Sequence, residues 1–268
     1  MEGSDSVLVR WLPFLNRPTV TLFFSDGDDL VPVSRTVPRS ETDPGRLMAM
    51  LLDGPAPGTG LDDPFPPGTT AATSLVDGVL TVDLSREFAA ADTLAREAML
   101  QSVSTWPGVD EARVTVAGEP LETNSSGRLL YFYDEGRDML VARPVGLVAP
   151  ADVLDAYLEG PDDPALTGLP DDIEALDVIL EPNGLLRLEF TYRPSLRSYA
   201  LDHPEAMRRV LQGLIATFTT GFPDVEAVYL DFEGRNALGA GQCANLLNTA
   251  QLRPEVLNDE RLLARSAA

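Results

Sequence analysis

Asp77-Gly78-Val79-Leu80-Thr81-Val82-Asp83-Leu84-Ser85, running on into Arg86-Glu87-Phe88, decides how this chain is read. Asp-Gly is a strong hairpin signal, and the alternation after it predicts a strand with Val79, Thr81 and Asp83 on one face and Leu80, Val82 and Leu84 on the other. Ser85 closes the strand with a residue suited to capping a helix. The same order of turn, strand, acid and hydroxyl returns in Asn183-Gly184-Leu185-Leu186-Arg187-Leu188-Glu189-Phe190-Thr191. That echo predicts two copies of one unit.

Further landmarks keep step with it, as an internal duplication requires. Leu51-Leu52-Asp53-Gly54-Pro55 answers Tyr157-Leu158-Glu159-Gly160-Pro161, and both this pair and the hairpins are offset by 106 residues (160 − 54 and 184 − 78). Leu22-Phe23-Phe24 answers Leu130-Tyr131-Phe132, and Trp106-Pro107-Gly108-Val109 answers Phe222-Pro223-Asp224-Val225. The offset grows after the second hairpin strand, where a passage from Tyr192 to Tyr199 reads as a longer connection.

These motifs resemble the GerMN domain family of bacterial sporulation and germination proteins. The residues that carry the resemblance are the aromatic first strand, Leu51, Leu52, Gly54 and Pro55 at the end of the first helix, and the hairpin strand with Asp77, Gly78, Asp83 and Ser85. The start of the last strand at Pro107 and Val109 belongs to the same pattern. In the second copy Gly160, Pro161 and Gly184 hold the pattern, with Arg-Leu-Glu-Phe-Thr standing for Thr-Val-Asp-Leu-Ser. The resemblance implies tandem domains over 17–122 and 128–236, with a lead of 1–16 and a tail of 237–268. It also implies a non-enzymatic, envelope-associated role in sporulation or germination, and no cofactor.

Composition bounds the other readings. A chain of 268 residues with 44% apolar content can build two cores of about 100 residues each. The net charge of −22 opposes phosphate backbones and anionic membrane surfaces, which argues against nucleic acid and lipid head groups as partners. All 20 basic residues are arginine, so a phosphate-loop lysine and Schiff-base chemistry are excluded. One cysteine, Cys243, allows neither an internal disulfide nor a cysteine zinc cluster. No apolar run reaches the length of a membrane span, and Val7 to Leu15 lacks the basic region and cleavage site of a signal peptide.

The fold predicted for each copy is α+β, with two helices on one face of a small, mainly antiparallel sheet. In the first copy Thr19–Phe24 and the segment through Leu30, Val31 and Val33 form strands, and Asp43-Pro44 caps a helix that Gly54 stops. A second helix is expected from about Ala89 to Thr105 and a strand from Ala112 to Ala117. In the second copy a long helix is expected to open at Asp202-His203-Pro204-Glu205, a capping-box spacing. The end of the chain is expected to hold a short helix near Cys243 and then a charged, mobile tail.

Candidates for chemistry each meet a structural rival. His203, the single histidine, would have to serve any Ser-His-Asp or Cys-His site, but its place in a first helical turn suits a cap or a surface position. Cys243 fits a small buried hydrophobe better than a nucleophile. Asp83 and Glu189 are equivalent acids that could form a carboxylate hydrolase site, against a capping role with Ser85 and the turn after it. Asp26, Asp28 and Asp29 cluster oxygens as calcium requires, but lack the spacing of an EF-hand loop and read as a solvated turn. The aromatic first strands could stack sugars, so a glycan-binding module or a partner of peptidoglycan hydrolases is the rival to a scaffold acting through protein partners or self-assembly.

Overall fold

The computed structural model describes residues 18–121, 128–234, 243–247 and 249–266. The lead of 1–16, with its Val7 to Leu15 segment, lies outside them. The described residues divide into two compact units. Unit 1 takes in 18–27, 33–121 and 259–266, and unit 2 takes in 28–32 and the rest from 128 to 258.

Unit 1 begins with strand β1 (Thr19–Asp26), which turns at Gly27 into β2 (Asp29–Thr36). Helix α1 (Pro44–Leu52) starts as the sequence predicts: Asp43 Oδ1 accepts from the amides of Gly45 and Arg46, and Pro44 occupies the first helical position. It ends at Gly54, whose φ of +80° is the left-handed stop open to glycine. The irregular link to residue 70 then leads into β3 (Ala71–Val76), the Asp77-Gly78 turn and β4 (Val79–Leu84). Asp77 and Gly78 have φ of 49° and 79°, the type I′ geometry that suits the twist of a two-residue hairpin. Leu80, Val82 and Leu84 are buried and their alternates are not, as the period of two requires.

The chain then crosses over through α2 (Thr93–Ser104) to β5 (Glu111–Val116), which lies parallel to β4, and β6 (Glu119–Pro120) closes the sheet β3-β4-β5-β6. A short 3₁₀ turn, Arg86–Ala90, precedes α2, so the helix expected from Ala89 begins four residues later at the Asp92 cap. Asp92 Oδ1 accepts from the Ala95 amide at 2.8 Å.

Unit 2 repeats the plan. Strands β7 (Arg128–Asp134) and β8 (Met139–Val145) form an antiparallel hairpin, and the start of β2 joins it through the pairing of Leu30 with Ala142. Helix α3 (Pro150–Leu158) ends at Gly160, again with φ of +80°. After the short β9 (Leu166–Thr167) come β10 (Ala175–Leu180) and β11 (Leu185–Phe190). Helices α4 (Pro194–Asp202) and α5 (Pro204–Gly221) lead to β12 (Ala227–Phe232), parallel to β11 with Leu185 opposite Ala227 and Phe190 opposite Phe232. The passage read as a loop through Tyr199 is therefore largely helix. Pro194 presets the first helical φ, and Leu196 and Ala200 bury the face of that helix. His203 joins the two helices without a side-chain cap, so the predicted capping box does not form.

One device recurs where α2 in unit 1 and α5 in unit 2 meet the first strand of their unit. Ser102 Oγ accepts from the Phe23 amide at 2.9 Å and donates to the Ala98 carbonyl at 2.7 Å. In unit 2 Thr217 Oγ1 accepts from the Tyr131 amide at 3.1 Å and donates to the Gly213 carbonyl at 3.0 Å. Both hydroxyls are buried, and each meets a strand amide that would otherwise be sealed from water without a partner.

The end of the chain differs from the expected mobile tail. After α6 (Ala244–Leu247), β13 (Gln251–Leu252) pairs with β12, and α7 (Glu260–Ser266) is helical. The buried Asn258 donates to the carbonyls of Pro32 and Leu140 at 2.8 Å and accepts from the Leu140 amide at 2.7 Å. Within unit 1, Glu260 pairs with Nε and Nη2 of Arg35, while Arg35 Nη1 donates to the Met50 carbonyl and Nη2 also to that of Gly54. The helix-ending Gly54 is thus tied to the last helix.

Candidate interaction surface

The candidate acids do not assemble a catalytic centre. Asp83 Oδ1 accepts from the Thr115 hydroxyl at 2.6 Å and from the Gly118 amide at 2.9 Å, so it serves the β5 to β6 turn rather than the turn after its own strand. The Thr115 hydroxyl first, and then the Gly118 amide, hold its carboxyl below the ordinary value, which is the opposite of what a general acid requires. Ser85 Oγ accepts instead from the Thr70 amide, and Thr191 does the same for Glu174. Glu189 lies across from Asp177 on β10 and Asp231 on β12, a row of like charges on one sheet. There the turn amide of Gly234 goes to Asp231, so the acid that holds it has moved one strand over.

Asp29 is held by Arg143, Nε to Oδ1 at 2.9 Å, and Asp28 is exposed in the turn. Among the described residues no three His, Cys, Asp or Glu side chains gather as a metal site requires. His203 is half exposed, with Nδ1 3.8 Å from Glu135. Cys243 is buried and burial pushes its thiol up, the behaviour of a structural rather than a reactive cysteine.

Phe23, Phe24, Tyr131, Phe132 and Tyr133 are all buried. Phe132 stacks on Tyr157 at 5.1 Å, and burial pushes the Tyr131 hydroxyl up to about 12. These rings form core and offer no platform for sugars.

What the described residues do expose is aliphatic. In unit 2 the outer strand β10 carries Leu176, Ile179 and Leu180 at 53%, 40% and 43% exposure, and none of the large apolar side chains exposed among the described residues is aromatic. The matching strand of unit 1, Ala-Ala-Thr-Ser-Leu-Val, exposes Ala72, Ser74 and Val76, the last at 63%. A bulge between Ala175 and Asp177, with the Asp177 carboxylate on the Val178 amide, interrupts one end of the edge and leaves the Ile179 and Leu180 end open.

The hairpin glycines are doubly constrained. Gly78 and Gly184 both have φ of 79°, and a Cβ on either would meet the side chain of Asp110 or Glu226 within 3 Å. Their carbonyls accept from the amides of the residues just before the strands that follow the crossovers, Asp110 and Glu226, each at 2.8 Å. The second turn is one residue longer than the first: the Gly184 amide donates to Glu181 and the Glu181 amide to Leu185, with Pro182 within the turn.

A family model described as Germane, sporulation and spore germination, matches residues 21–122 and 129–238. The tandem GerMN domains of the sporulation protein GerM from Bacillus subtilis have a similar structure, with a TM-score of 0.63 at 16% identity over 91% of this chain and 99% of that one. The first GerMN domain of the same protein gives 0.31 at 20% identity, over 38% and 85%. No curated protein sequence matches the chain. The tandem structure shows the fold, and its two domains follow the duplication described above.

Proposed function

The chain belongs to the Germane family of sporulation and spore germination, in a tandem arrangement, and from that premise we propose that it is a non-enzymatic scaffold that works by protein–protein contact at the cell envelope. The observation that carries this reading is the aliphatic outer strand β10, whose Leu176, Ile179 and Leu180 stand in water on a chain that otherwise carries a net charge of −22. Leu180 lies on the face of the buried Leu186 and Ile179 on the opposite one, and exposed apolar side chains on an open sheet edge cost solubility and favour association. The duplication supports a division of labour, since the same strand in unit 1 exposes one large apolar side chain, Val76, against three on β10.

Among the described residues no helix is long and apolar enough to cross a membrane. The envelope assignment rests on the family. The carboxylate hydrolase reading has no support in the geometry of Asp83, and the burial of the aromatic strands removes the basis for sugar stacking. Charge repulsion opposes contact between copies and is screened by salt, so self-association is expected to strengthen with ionic strength. Light scattering on the eluting protein at low and at high salt tests this: a mass above 28.9 kDa that rises with salt supports self-assembly. A monomer in both, with no protein bound in a spore-envelope extract, overturns the scaffold reading.

A further inference from the structure

Unit 2 holds a cavity of about 630 Å³ between the end of α3, the β9 loop and the start of α4. Its wall includes the carboxylates of Glu159, Asp163 and Asp171, the aliphatic side chains of Leu166 and Leu169, and Tyr199, with no cationic side chain. Asp163 is engaged, Oδ1 by the Ala165 amide and Oδ2 by Arg143 at 3.5 Å. No side chain among the described residues pairs with the carboxylates of Glu159 and Asp171.

The other unit has a corresponding turn. The turn closed by the Thr69 amide on the Pro66 carbonyl recurs as the Ile173 amide on Pro170, which sets Leu169 where unit 1 has Phe65. Phe65 is buried against Phe88 with ring centroids 6.2 Å apart. In unit 2 the smaller leucine and the α4 insertion replace that aromatic pair. Leu169 is buried as Phe65 is, and in unit 2 the surface beside it is an acid-rimmed recess.

We propose that this cavity takes an arginine side chain presented by a partner protein, its stem against Leu166, Leu169 and the Tyr199 ring and its guanidinium between Glu159 and Asp171. Planar, bidentate pairing with carboxylates is what a guanidinium does best, and an aromatic wall adds to it. The site does not use the β10 edge, so loss of one function leaves the other measurable.

The test is an amide NMR titration of the full chain with N-acetyl-arginine methylamide, beside the neutral isostere N-acetyl-citrulline methylamide. Saturable shifts at Gly160, Gly168 and Leu169 are expected with the arginine compound alone. The Glu159→Gln/Asp171→Asn variant is expected to weaken binding at least about five-fold, with each single substitution giving part of the loss. Both residues are exposed, so an unchanged spectrum elsewhere certifies the fold. Equal binding of citrulline, wild-type affinity in the double variant, or shifts confined to other residues would overturn the proposal.

Discussion

Ser102 and Thr217 show how one atom can fix the angle between a helix and a strand. Each hydroxyl satisfies a buried strand amide while returning its own proton to the carbonyl four residues before it. Ser102→Ala removes the acceptor and leaves the Phe23 amide without a partner, a loss of about 1–3 kcal/mol that denaturant unfolding will register. Thr217→Val, nearly isosteric, is expected to cost the same by the same means, whereas a packing role alone would leave it close to neutral. Asp83 supplies a pH test. Its folded-state pKa is lowered by the Thr115 hydroxyl and the Gly118 amide, so the stabilisation it gives is present above the ordinary carboxyl value of 3.8 and is lost as pH falls through the folded value. Asp83→Asn should lower the melting temperature at neutral pH and converge on wild type in acid; a constant difference at every pH would rule out this assignment.

At the level of elements, the strands and most helix ends follow from local chemistry. Asp43-Pro44 and Gly54 bound α1 by capping and left-handed geometry, and Asp77-Gly78 forces the hairpin, all of which short sequence windows contain. The parallel pairing of β4 with β5 and of β11 with β12 depends on a crossover, and no window of residues encodes which strand lies beside which. The helical hydroxyls were invisible for a related reason, because Ser and Thr within a helix carry no signal until the facing strand is known. Helix α4 was hidden by a polar surface: only Leu196 and Ala200 bury its face. The last helix was missed because its anchor is Arg35, 225 residues away. With both side chains of that pair largely buried, at 16% and 12% exposure, Glu260→Ala should leave an uncompensated guanidinium and cost about 3 kcal/mol in thermal or denaturant unfolding. An unchanged stability would show that α7 is dispensable to unit 1.

For the whole molecule, duplication supplies two similar frames and divergence gives them different surfaces. Unit 1 exposes one large apolar side chain on β3 and packs Phe65 against Phe88, while unit 2 carries three exposed aliphatic side chains on β10 and an acid-rimmed cavity. The second copy departs most from the family pattern, and it is the copy with the more distinctive surface. The net charge of −22 sets the condition under which association is visible, since repulsion between copies is long-ranged at low salt and short-ranged at high salt. The measurement that bears most directly on the scaffold account is sedimentation velocity at high salt on wild type beside Ile179→Lys, with Val76→Lys on β3 as the control. The account predicts that wild type and the β3 variant associate alike and that Ile179→Lys sediments as a monomer; association that survives the lysine on β10 would contradict it.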